Sequence, residues 1–153
     1  MVEMAPFIGM VFSFLVFRTL GLAGWEYMND TVISLRFAAA VMLLIAASAH
    51  WGRMRPDLIA MVPPWIPKAG MIVSLTGIFE ITGAFLLLFP STTTIAATLL
   101  ALLLIAMFPA NMHAARHKLK LAGRPVPPLG IRTVIQIVFI AAILIAGWLP
   151  TQG

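Results

Sequence analysis

Five apolar stretches, each long enough to cross a bilayer, set the terms on which this chain can fold. They run over roughly 5–25, 33–50, 69–89, 92–112 and 131–149, and a helix of about 20 residues spans the roughly 30 Å of hydrocarbon in a membrane. Hydrophobic residues make up 61% of the 153 and charged residues only 10%, with a mean hydropathy of +1.03. A soluble domain carries about 25% charged residues and still exposes much of its surface, so water is the wrong solvent for this composition. Open sheets leave backbone groups unsatisfied in lipid, and the alternating pattern of a membrane barrel is missing. The expected fold is therefore all-α, with residues 1–153 forming a single transmembrane domain of five spans.

The breaks between stretches have local causes. Glu26-Tyr27-Met28-Asn29-Asp30-Thr31 is short and polar, and Asp30 or Thr31 is placed to cap the second helix. Pro90 breaks the third span, and Ser91 or Thr92 is expected to cap the fourth. Pro125, Pro127 and Pro128 mark the loop from His113 to Gly130 as extended. The connection 50–68 differs: Trp51, Arg53, Arg55 and Trp65 suit the headgroup zone. It reads as a membrane-hugging connector, in which Asp57 after Pro56 can start a short interfacial helix that Pro63-Pro64 ends.

Charge sets the expected orientation. Arg53, Arg55, Lys68, Arg116, Lys118, Lys120 and Arg124 crowd two loops on one side, with Arg132 at the edge of the last span. The other side carries Glu26 and Asp30. Basic loops lie in the cytoplasm of a bacterial-type plasma membrane, which puts the N-terminus inside and the C-terminus outside. The first stretch follows an acidic n-region and contains Arg18, so it reads as a retained helix and not a cleaved signal. The net charge of +5 is topological, without a nucleic-acid recognition module.

Ionisable residues inside spans are costly unless paired, and three stand out: Arg18, Arg36 and Glu80. Counting about 1.5 Å per residue puts all three in the outer half of the membrane. A single Arg–Glu cluster is the economical arrangement. Thr76, Gly77, Gly83 and Ala84 surround Glu80 at helical spacings, so a helix or ligand can come close to it. Two readings stand: a proton acceptor or ligand anchor in a cavity, or a salt bridge that locks helices together.

A second polar group, His50, Asn111, His113 and Gln136, falls at the basic end. Arg36, Ala40, Leu43, Ala47 and His50 form one stripe along the second span. A histidine at a helix end more often caps carbonyls than ligates haem or a metal. His113 and His117, four apart among lysines, are a weak metal signal, so no metal site is assigned. The absence of cysteine excludes thiolate-bound metals and clusters. The ten methionines are scattered as packing, and no phosphate loop or nucleophile elbow occurs.

Several ordered motifs resemble those of the DoxX-like small membrane proteins. His50-Trp51 … Arg55-Pro56-Asp57-Leu58-Ile59-Ala60-Met61-Val62-Pro63-Pro64-Trp65-Ile66-Pro67 is similar to that family's connector. Gly77-Ile78-Phe79-Glu80-Ile81-Thr82-Gly83-Ala84 and Ala106-Met107-Phe108-Pro109-Ala110-Asn111 are similar to two of its helices. The resemblance covers roughly 33–149 and implies a four-helix bundle, here with one added N-terminal transmembrane helix. It marks His50, Glu80 and Asn111 as characteristic polar positions without assigning a reaction. Some members are similar to subunits of thiosulfate:quinone oxidoreductase.

The expected function is a membrane subunit or small enzyme that binds a lipophilic redox partner such as a quinone in an intramembrane polar pocket. The alternatives are a non-catalytic scaffold or anchor for a partner protein, and a transporter of small hydrophobic solutes. Any redox cofactor must be borrowed or lipid-soluble. Small-residue pairs at Gly70/Ser74 and Ala142/Ala146 permit tight helix contacts within one chain or in a homodimer.

Overall fold

A computed structural model describes residues 4–151. The five apolar stretches form helices long and apolar enough to cross a membrane. Helix α1 spans Ala5–Leu22, α2 Thr31–Ser48 and α4 Ala69–Leu86. The fourth span is α5, Thr93–Ala106, followed after one residue by α6, Phe108–Arg116, and the last is α7, Leu129–Trp148. A short helix α3, Arg55–Met61, lies in the connection between α2 and α4. The chain is an all-α, five-span bundle.

Helix ends follow residue chemistry. The Asp30 carboxylate accepts from the amides of Val32 at 2.7 Å and Ile33 at 3.1 Å, capping α2. Pro56 sits in the first turn of α3, where its missing N–H costs nothing, and the helix has stopped by Pro63. Pro109 occupies the same kind of position in α6 and explains the interruption at Met107. Around Pro90 the hydroxyls act differently from the expected capping of α5. Thr92 Oγ1 donates to Leu86 O at 2.7 Å and Thr93 Oγ1 to Leu87 O at 3.0 Å. They close the end of α4, because carbonyls left over at a helix end in hydrocarbon need donors.

The 113–130 loop also departs from an extended form. It continues as helix to Arg116 and then folds into a hairpin of β1, Lys120–Leu121, and β2, Arg124–Pro125. Gly123, at φ +77°, and Ala122, at φ +51°, make the turn.

Helix α2 is the hub. It packs against α1, α4 and α7, while α5 closes the ring between α4 and α7. Ala38, Ala39, Ala40, Leu43 and Ala47 are buried on several of its sides. Four helices thus form the bundle and α1 lies outside it on α2, exposing Phe12, Leu15 and Leu22 where lipid would lie. Between helices in lipid there is little hydrophobic drive, so close packing must supply the contact energy. Gly83 receives the side chain of Leu100, and Gly147 lets α7 lie directly on Ala97 of α5. Ala142 and Ala146 are buried within the chain. Gly70 and Ser74 are covered by Arg55 and Ile59.

Gly147→Ala should therefore lower stability in detergent by about 1–3 kcal/mol, the usual cost of overpacking. Gly130→Ala, with open space around it, should be neutral or slightly stabilising. Thermal unfolding of the two variants compares them directly.

Candidate functional site

A cavity of about 490 Å³ opens inside the basic end of the bundle. Its walls come from α2, α3, α4, α5, α6 and α7, with Ala5 and Pro6 of α1 at one edge. Most of the lining is apolar, including Met42, Leu43, Leu104 and Phe139. Two polar groups interrupt it, one on the α2–α4 side and one on the α6–α7 side.

The first is His50 with Glu80. Helix α2 ends at Ser48, and the following turn folds His50 back against α4. Its imidazole Nδ1 lies 2.6 Å from the Val73 carbonyl and 3.3 Å from Thr76 Oγ1. Its Nε2 lies 3.5 Å from a carboxylate oxygen of Glu80. His50 is 4% exposed and Glu80 2%. Gly77 makes this approach possible, because a Cβ there would stand 2.8 Å from His50 and 2.7 Å from the Trp51 ring.

This geometry assigns the protons. A carbonyl only accepts, so Nδ1 carries the hydrogen that it donates to Val73. At 3.5 Å Nε2 and Glu80 Oε2 face each other without a hydrogen bond, and Oε2 is buried with no other partner, so one further proton can sit on either the ring or the acid. Both forms leave the pair without net charge, as burial at this depth requires.

The expected cluster of Glu80 with Arg18 and Arg36 does not form. Arg18 donates to the backbone carbonyls of Met28 and Asn29, beside the 3₁₀ turn Glu26–Asn29. Arg36 Nε donates to Ala146 O at 2.7 Å, supplying a carbonyl near the end of α7. The reason is directional. Every Cα–Cβ bond of a helix tilts toward its N-terminus, so Glu80 reaches back toward Val73 and the basic end. Arg36 stands about 20 Å away from His50 along α2. Counting depth from Cα positions missed this.

The second group joins α6 to α7. Asn111 Nδ2 donates to Gln136 Oε1 at 2.9 Å, and Gln136 Nε2 donates to Leu104 O at 2.6 Å. An Arg132 terminal nitrogen donates to Asn111 Oδ1 at 2.5 Å. Arg132, Asn111 and Gln136 all line the cavity. Arg132 was legible only as an edge charge, although its four-residue spacing from Gln136 puts both on one helix face.

Arg55 is the other residue the sequence did not single out. Its guanidinium donates to His50 O at 2.8 Å, to Gly70 O at 3.0 Å and to Ser74 Oγ at 3.0 Å. It clamps the turn that carries His50 onto the start of α4. Of the connector residues, Pro63 is buried and lines the cavity, whereas Pro56 and Pro64 are exposed. Trp51 and Trp65 lie on the surface, 48% and 74% exposed. Asp57 accepts from the Ala122 amide at 2.8 Å, tying α3 to the hairpin. The His113 and His117 rings lie 4.2 Å apart, with His117 Nδ1 2.9 Å from the His113 carbonyl. Among the described residues no group of three metal-ligating side chains forms.

Breaking the pair should cost more than deleting it. His50→Ala alone should destabilise by about 3 kcal/mol, since it strands a buried carboxyl. His50→Leu combined with Glu80→Leu should recover most of that loss. Unfolding of the single and double variants in one detergent tests the coupling.

The family described as "Domain of unknown function (DUF8561)" matches residues 39–146. No curated protein and no solved structure matches the chain. The matched stretch holds every polar residue of the cavity and leaves out α1, Arg18 and Arg36. The chain belongs to the DUF8561 family.

Proposed function

We propose that this protein is a membrane-embedded binding subunit or small enzyme whose cavity takes a lipid-soluble, carbonyl-bearing redox molecule of the quinone class. One observation carries the reading: an apolar cavity bounded by the buried Glu80–His50 pair, whose Glu80 Oε2 has no hydrogen-bond partner, and by the Asn111–Gln136–Arg132 group. About 490 Å³ lies in the range of small-molecule sites, which are mostly apolar with a few placed polar groups. A quinone ring offers two carbonyl oxygens that accept hydrogen bonds. Amide and guanidinium groups donate to such oxygens, and a proton held by the Glu80–His50 pair is available to a carbonyl that gains electron density. A partner redox protein would supply the electrons, since the chain has no cysteine to hold a cluster.

The motif resemblance to DoxX-like proteins, some of them similar to quinone-linked subunits, supports the same reading. The basic end, and with it the mouth of the site, belongs on the cytoplasmic side of a plasma membrane by the charge rule. A homodimer fits this reading as well as a monomer does.

Purified in mild detergent, the protein should carry an extractable quinone or rebind one added as ubiquinone or menaquinone. Glu80→Gln should weaken retention at least tenfold, about 1.4 kcal/mol, while the protein stays folded. A protein that never binds quinone, yet recovers one stoichiometric protein partner, would establish the scaffold reading instead.

A further inference from the structure

The segment from Arg116 to Val126 forms a strap across the basic end of the bundle, held at three places and closed on itself by Val126 N donating to Leu119 O at 3.0 Å. Leu121 and Val126 are buried against Met61 of α3 and Ala114 of α6. Leu119 N donates to Ala114 O of α6 at 3.0 Å. The Asp57 carboxylate accepts from Ala122 N at 2.8 Å. Strand alternation then sorts the side chains. Leu121 points into the bundle and Lys120 away from it. Arg116, Lys118, Lys120 and Arg124 are all exposed, and among the described residues none of them forms an ion pair.

Position makes this cationic face special. The strap joins the end of α6, Arg116, to the start of α7, Leu129, so it connects two helices long and apolar enough to be membrane spans. Its apolar side is pressed onto the bundle, so it lies close to the plane where headgroups begin. Trp51 and Trp65 are exposed at the same end, as expected of side chains at a membrane interface. Asp57, the acid of the adjoining connector, is committed to a backbone amide.

We propose that the outer face of this strap is a binding surface for anionic phospholipid headgroups, with Lys118, Lys120 and Arg124 as the contacting cations. The phosphate and its negative charge are the recognised chemistry, and the surrounding leaflet is their source. Because Leu121 also lines the cavity, the bound lipid would rest on the roof of the site. The inference does not depend on what the cavity holds.

The full chain is reconstituted in discs containing equal phosphatidylglycerol and phosphatidylethanolamine, and lipids kept through native mass spectrometry are identified. Phosphatidylglycerol should be retained preferentially. The variant Lys118→Gln/Lys120→Gln/Arg124→Gln should lose that preference by roughly fivefold per cation, with unchanged unfolding in zwitterionic discs. If the variant does not fold, a salt series on the native chain decides, because headgroup binding by exposed cations weakens as salt rises. Equal retention of both lipids by the native chain overturns the proposal. So does a preference that survives the triple substitution or high salt, or an acidic protein found on the strap in place of lipid.

Discussion

Hydrocarbon offers no hydrogen-bond partner, and the polar anatomy of this protein depends on that constraint. A carbonyl at the end of a soluble helix turns to water. Here the last carbonyls of α4 take the hydroxyls of Thr92 and Thr93, and those of α7 take Arg36 and the Thr94 hydroxyl. Ser34 and Arg18 serve the carbonyls around Met28. Side chains that look like chemistry in an apolar sequence are thus often structural donors, since each unsatisfied backbone group would cost several kcal/mol.

Against that background Glu80 and His50 differ. Neither side chain is needed to end a span. The imidazole is oriented by Val73 and by the turn that Arg55 clamps, and the carboxyl is brought to it by the backward tilt of α4 side chains. The result is a net-neutral pair beside a cavity, an expensive arrangement to bury inside a bundle. The amide and guanidinium group of Asn111, Gln136 and Arg132 borders the same space from α6 and α7. A bundle that only had to be stable would fill that space with leucine.

The candidate site was partly legible. His50, Glu80, Asn111 and Gln136 stood out because polar residues inside apolar runs are informative singly, without any knowledge of neighbours. Their pairing was not legible. Arg18 and Arg36 share approximate depth with Glu80, and depth alone made them its partners. Which way a side chain leans, and how a turn after α2 folds back, are not encoded in spacing along the chain. Arg55 illustrates the same limit: its three acceptors lie on the preceding turn and on α4, and in the sequence it is one more basic residue of a basic loop.

The sequence by itself determined the solvent, the five spans and most helix ends, because length, hydropathy, proline and capping residues act locally or within one helix. It also marked the polar residues worth attention. Only the tertiary structure decided that Glu80 meets His50 and not an arginine, that the helices leave a cavity there, and that residues after Arg116 fold into a strap held by Asp57. Those outcomes depend on which helix faces meet and on the direction of Cα–Cβ bonds. Both arise from packing between segments far apart in the chain, where local chemistry carries no instruction.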